Sequence, residues 1–167
     1  MIIFVRLRYQ NLMKLNLNDT FNKQLLADSD ISNSRRQVYG ACFSYVTPRV
    51  PSNPKLLHYA DELAETLGFL KEDIKSKDFL DMVSGSSVYP ETQPYAMAYA
   101  GHQFGNWAGQ LGDGRAINLF EILHNNKRWT LQLKGAGETP YSRTADGFAV
   151  LRSSIREHLC SEAMYYL

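Results

Sequence analysis

Residues 101–157 read GHQFGNWAGQLGDGRAINLFEILHNNKRWTLQLKGAGETPYSRTADGFAVLRSSIRE. A glycine-punctuated turn leads into an extended run that ends at Leu123. A second extended run follows, RWTLQLKG, in which Trp129, Leu131 and Leu133 alternate with Thr130, Gln132 and Lys134. Side chains of a strand alternate between its faces, so Lys134 falls on the polar face. The four residues between the runs, His124-Asn125-Asn126-Lys127, suit a hairpin because Asn tolerates positive φ. The stretch therefore reads as an antiparallel hairpin between two glycine-rich turns, followed by a helix.

Within it lie the residues that carry chemistry. Gly112-Asp113-Gly114 lets the backbone turn tightly and removes side chains that would block a phosphate. Arg115 follows at once and can make charge-assisted bonds to phosphate oxygens. Taken alone, Gly-Asp-Gly is equally an ordinary turn, and that is its simpler reading. Lys134 is either a phosphate ligand or a solvated lysine on an edge strand. The loop GAGETPYSRTADG is long for a compact domain, and long loops are often functional. Its Asp146 reads chiefly as the N-cap of the next helix, with an oxygen left for a ligand. Tyr141 and Ser142 offer hydroxyls open to modification.

The helix is expected from about Gly147, with Phe148, Leu151, Ile155, Leu159 and Met164 on or near one stripe. Glu157 lies about 200° from Ile155 at ~100° per residue, on a partly polar side. It is either a surface glutamate or the ion-pair partner that orients Lys134. Protein kinases pair a strand lysine with a glutamate on the next helix, and the lysine contacts nucleotide phosphates.

Working outward, Pro94 and the segment YAMAYAG read as a helix, and SGSSVYPETQP before it as a loop. Gly101, Gly105 and Gly109 are spaced to line one helix face or to serve a loop. Lys55–Leu67 reads as a helix on the spacing of Leu56, Tyr59, Leu63 and Leu67, ended by Gly68. Lys71–Val83 reads as a second. Pro48, Pro51 and Pro54 make a rigid strap able to wrap across another part of the fold. Residues 35–46 read as irregular to weakly extended, and residues 16–34 as polar with a short helical pattern at Phe21, Leu25 and Leu26.

Composition is that of a globular chain. Of 167 residues, 44% are hydrophobic and 21% charged, and the net charge is +1. That charge gives no broad electrostatic reason to expect nucleic acid or an anionic membrane as partner. The two cysteines, Cys42 and Cys160, are too few for a zinc site or a disulfide framework and read as reduced thiols of a cytoplasmic protein. His58, His102, His124 and His158 show no metal-ligand spacing. The apolar run Met1–Val5 is too short for a signal core or a membrane span. Residues 1–14 read as an N-terminal extension, with Met1 and Met13 as alternative starts, and residues 15–167 as one domain. The last helix has no terminating signal, so the chain reads as a partial one.

Several ordered motifs resemble the selenoprotein O family: YAGHQFGNWAGQLGDGRA, LKGAGETPYSRTADG, AVLRSSIREHLCSEAMYYL and, earlier, RRQVYGACFSYVTPRVPSNPKLL. The resemblance implies an α+β, protein kinase-like fold, of which residues 15–167 would be the N-terminal lobe. It implies transfer of AMP from ATP, bound in a flipped orientation, to Ser, Thr or Tyr hydroxyls of target proteins, with Mg or Mn. On that pattern Gly112, Gly114, Arg115, Lys134, Asp146 and Gly147 would contact ATP, and Glu157 would orient Lys134. The general base and the metal ligands would lie downstream of Leu167, which makes the piece alone inactive. An ordinary phosphotransferase and a non-catalytic nucleotide- or partner-binding module are the alternatives.

Overall fold

The computed structural model describes residues 13–167. Their elements are α1 (Phe21–Gln24), β1 (Phe43–Tyr45), α2 (Asp61–Leu67), α3 (Lys71–Ile74), α4 (Lys77–Ser84), β2 (Tyr95–Met97), β3 (Ala100–Gln103), β4 (Asn106–Gln110), β5 (Ala116–His124), β6 (Lys127–Lys134) and α5 (Leu151–Tyr166). The fold is α+β. An antiparallel four-stranded sheet runs in the order β1-β2-β5-β6, and β3 and β4 form a separate hairpin.

Strand β5 organises the sheet. Seven of its nine residues are buried in a row, the pattern of a strand covered on both faces. Leu119 packs against Phe69, Ile74, Phe79 and Met82 from the α2–α4 side. Ile117 packs in a second cluster with Val46, Ala96 and Tyr141. On its second edge β5 pairs with β6, and the connecting Asn125 and Asn126 take φ of 49° and 58°. These left-handed values at both central residues fit the right-handed twist of the strands. On β6 the alternation holds: Trp129, Leu131 and Leu133 are half-buried, whereas Thr130, Gln132 and Lys134 are exposed.

The N-terminal segment pairs with the C-terminal half of β5. Leu17 bridges Ile122, and Asn18 N donates to Glu121 O at 2.8 Å. The Glu121 carboxylate then accepts from Thr20 N (2.6 Å), Thr20 Oγ1 (3.0 Å) and Phe21 N (3.1 Å). Burial pushes this carboxyl up, but those donors and Arg128 outweigh it and hold it below the ordinary range. Of the segment read as an extension, residues 1–12 lie outside the described residues. Met13 is buried in the core, and its carbonyl accepts from the Tyr89 hydroxyl at 2.6 Å.

Four expectations change. YAMAYAG is not a helix: Tyr95–Met97 form β2, and residues 100–103 form β3. Tyr95 and Ala96 are both almost fully buried between neighbouring strands, so sheet pairing overrides the helical propensity of alanine. The helix expected from Lys55 begins only at Asp61. Leu56, Leu57 and Leu63 are exposed, so no core holds the upstream turn, whereas Asp61 and Glu62 favour a helix start there. Gly68 does cap its end, at φ 84°. The second helix is split, because Ser76 interrupts it and accepts from Phe79 N as the N-cap of α4. Finally, the apolar stripe of α5 is not core: no residue of this 16-residue helix is buried.

Helix α5 touches the rest of the molecule through a few polar contacts. His158 Nε2 and His58 Nδ1 are 2.9 Å apart, and Lys134 Nζ lies 3.6 Å from Glu157 Oε2. The proline strap wraps onto the loop after β6. Arg49 N donates to Ala136 O at 2.8 Å, and the Arg49 guanidinium sits 5.2 Å from the centre of the Phe148 ring. Among the described residues no helix is long and apolar enough to cross a membrane.

Candidate functional site

The turn between β4 and β5 and the loop between β6 and α5 face each other across a cavity of about 470 Å3. Its wall includes Gly112, Gly114, Arg115, Gln132, Lys134, Arg143 and Gly147. Of the seven residues that the resemblance assigns to the nucleotide site, five lie on this wall: Gly112, Gly114, Arg115, Lys134 and Gly147. Asp146 does not, although its neighbours Ala145 and Gly147 do. Glu157 stands behind Lys134 on α5.

The Gly-Asp-Gly turn is built from its buried carboxylate outward. Asp113 Oδ2 accepts from Met97 N and from Asn118 Nδ2, each at 3.0 Å. The Asp113 main chain bonds Met97 O through its N–H (2.9 Å) and the Thr139 hydroxyl through its carbonyl (2.7 Å). Burial pushes the Asp113 carboxyl up, and the Met97 N–H, the Asn118 amide and nearby Lys134 pull against that shift. This aspartate thus fastens the turn to β2 and β5.

The two glycines make room for protein. A Cβ on Gly112, at φ 130°, would lie 2.5 Å from Cγ of Tyr141, and one on Gly114 would lie 2.9 Å from Tyr141 O. Ser142 Oγ donates to Gly114 O and accepts from Thr139 N. Residues 139–142 therefore clasp the turn from behind. Tyr141 and Ser142, read as open hydroxyls, are instead 6% and 7% exposed, and the Tyr141 hydroxyl is 2.9 Å from Ser44 Oγ. The clasp was not foreseen. Its signal was the polar run Thr139-Pro140-Tyr141-Ser142 inside a glycine-rich loop, where buried hydroxyls require partners.

Loop 137–147 closes on itself. Gly137 N donates to Gly147 O at 3.2 Å, and Ala136 bridges Phe148. This pairing holds Phe148 out of the helix, which starts at Leu151 with Val150 extended at its N-cap. Asp146 is therefore not the helix cap. Its Oδ1 accepts from Phe148 N at 3.0 Å, a local turn two residues on.

The cavity wall is cationic. Arg115 and Arg143 are exposed, and among the described residues neither forms an ion pair. Arg143 donates to the Gln103 side chain, which links the loop to the β3–β4 hairpin. Lys134, at the end of β6, shares its charge with Glu157 at a separation longer than a direct hydrogen bond. Two arginines and a lysine suit a polyanionic ligand such as a phosphate chain.

A family model described as protein adenylyltransferase SelO matches residues 29–167. The chain belongs to that family. It is 65% identical over 153 residues to the protein nucleotidyltransferase YdiU of Flavobacterium johnsoniae, an alignment covering 92% of this chain and 29% of that protein. To the proteins of the same name from Methylobacillus flagellatus and Aromatoleum aromaticum it is 55% and 53% identical, over 92% and 90% of this chain and 30% of each relative. The chain thus spans about three tenths of the length of the curated relatives it matches.

The divalent metal that the family pattern implies does not fit the donors present. Among the described residues no three His, Cys, Asp or Glu side chains come together as a metal site. The nearby carboxylates are engaged, Asp113 under the turn, Asp146 with Phe148 N and Glu157 beside Lys134.

Proposed function

We propose that this chain forms the ATP-binding N-terminal lobe of a kinase-like protein adenylyltransferase. The observation that carries the reading is the cationic cavity between the two glycine turns, in a chain of this family. Lys134 and Arg115 would hold the triphosphate, with Gly112, Gly114 and Gly147 lining the wall beside it. Glu157 would limit the positions Lys134 samples. Asp146 borders this site through its neighbours, and its turn would set the path of the loop.

In the reaction, a Ser, Thr or Tyr hydroxyl oxygen of a target protein attacks the α-phosphorus of ATP. The bond from that phosphorus to the α,β-bridging oxygen breaks, pyrophosphate leaves and the hydroxyl proton passes to a base. The residues described here bind and orient the nucleotide. On this reading the base and the Mg or Mn ligands lie outside the residues described here, which would be inactive alone. Incubating the full-length protein with ATP labelled at the α or the γ position tests this. Label reaching protein hydroxyls from the α position supports AMP transfer, and transfer from the γ position alone would make the protein a phosphotransferase.

A further inference from the structure

We propose that Gln132 reads the bound nucleotide, its side-chain carbonyl accepting a hydrogen bond from a ribose hydroxyl or a base amine. The inference rests on the placement of ATP in the cavity between the glycine turns.

Gln132 precedes Lys134 by two residues on β6, so the two side chains leave the same face of the strand, about 6.6 Å apart along it. A group at that distance from a phosphate-binding ammonium meets the nucleotide beyond its phosphates. Gln132 is exposed and lines the cavity.

The orientation of its amide is dictated from below. Asn118 lies directly opposite on β5 and is 1% exposed. Its Nδ2 donates to Asp113 Oδ2 at 3.0 Å and to Tyr95 O at 3.3 Å. A carboxylate and a carbonyl only accept, so the amide nitrogen of Asn118 must face them and its Oδ1 must face β6. Gln132 Nε2 donates to that oxygen at 2.9 Å. With Gln132 Nε2 held by Asn118, Oε1 is the open end of the amide, and among the described residues nothing donates to it. A solvated surface glutamine would need no such relay. Three side chains, from buried Asp113 through Asn118 to Gln132, convert an interior negative charge into a fixed acceptor on the cavity wall. A pre-set acceptor loses little freedom on binding and discriminates against ligands that lack the donor.

The test compares the affinities of ATP, 2′-deoxy-ATP, 3′-deoxy-ATP and inosine triphosphate, which carries a carbonyl in place of the base amine. Titration calorimetry on the full-length protein is run on the wild type and on Gln132→Met. The wild type is expected to disfavour one analogue by about tenfold, and the identity of that analogue tells hydroxyl from amine. In Gln132→Met, ATP binding weakens and the preference disappears. A ratio of two affinities on one sample does not depend on its folded fraction. Equal binding of all four nucleotides by the wild type, or an unchanged preference in Gln132→Met, overturns the role of Gln132. If Arg115→Ala and Lys134→Ala also leave ATP affinity unchanged, the nucleotide site itself is misplaced and both readings fall.

Discussion

A methyl group on Gly147 would lie 2.0 Å from the carbonyl oxygen of Gly137. The two glycines also share a backbone hydrogen bond, so their contact is the closure of the loop that walls the cavity. Gly147 has φ of 78°, and Gly105 has nearly the same value, 79°, with open space around it. The pair separates conformational cost from collision. Gly105→Ala is expected to cost about 1–2 kcal/mol. Gly147→Ala should cost more than about 3 kcal/mol or prevent folding, because backbone must move to admit the methyl. Urea denaturation of both variants measures the difference, and equal losses would show that the loop closure is soft.

Lys134→Ala should separate binding from stability. The lysine and Glu157 are each about half exposed, and such pairs contribute roughly 0–1 kcal/mol. The variant is expected to melt within a few degrees of the wild type while ATP affinity falls at least about tenfold, the loss of one charge-assisted contact. Isothermal titration beside a thermal melt checks both. Undiminished affinity would remove Lys134 from the site.

Glu121→Gln tests the anchoring of the N-terminal segment. One carboxylate oxygen takes three donors from Thr20 and Phe21, so the change should cost about 1.5–3 kcal/mol at neutral pH. The folded carboxyl lies below its ordinary value. The native state therefore binds fewer protons than the unfolded chain near that range, and the stabilisation is complete above the unfolded pKa of about 4.3. It is lost as pH falls through the lowered folded value. The stability gap between wild type and variant should shrink on acidification across that window. A gap independent of pH would rule out the carboxylate as its source.

Thr139→Val probes the clasp. The Thr139 hydroxyl is fully buried, donates to Asp113 O and accepts from Tyr141 N at 3.2 Å. Valine keeps the shape and leaves both partners unsatisfied, an expected loss of about 1–3 kcal/mol. Chemical denaturation measures it, and a loss below about 0.5 kcal/mol would mean that the turn holds without the clasp.

The β5–β6 hairpin was legible because two local signals agreed, side-chain alternation on β6 and Asn-Asn at the connection. Strand β2 was not, since Tyr95, Ala96 and Met97 carry no helix-breaking signal and their extended state comes from partners distant in sequence, Phe43 and Asn118. The start of α2 was missed because Leu56 matched the spacing of Leu63 and Leu67 without a core to bury it. Residue types marked the two turns that wall the cavity, but not what each group does within them. Asp113, the one charge inside Gly-Asp-Gly, turned inward, and the glycines around it serve Tyr141 as much as any ligand. Such roles depend on the approach of residues 139–142, more than twenty positions away.

Helix α5 buries none of its sixteen residues. In amide hydrogen exchange it should behave as a unit of its own, opening at a small fraction of the free energy that protects β5. A helix of this length is marginal in water without packing. Glu157 is thus carried on the least protected element of the fold, and Lys134 on the edge of the sheet. Whatever presses α5 down would raise its exchange protection and shorten the Lys134–Glu157 distance together, so the protection factor of one helix would report the readiness of the proposed nucleotide site.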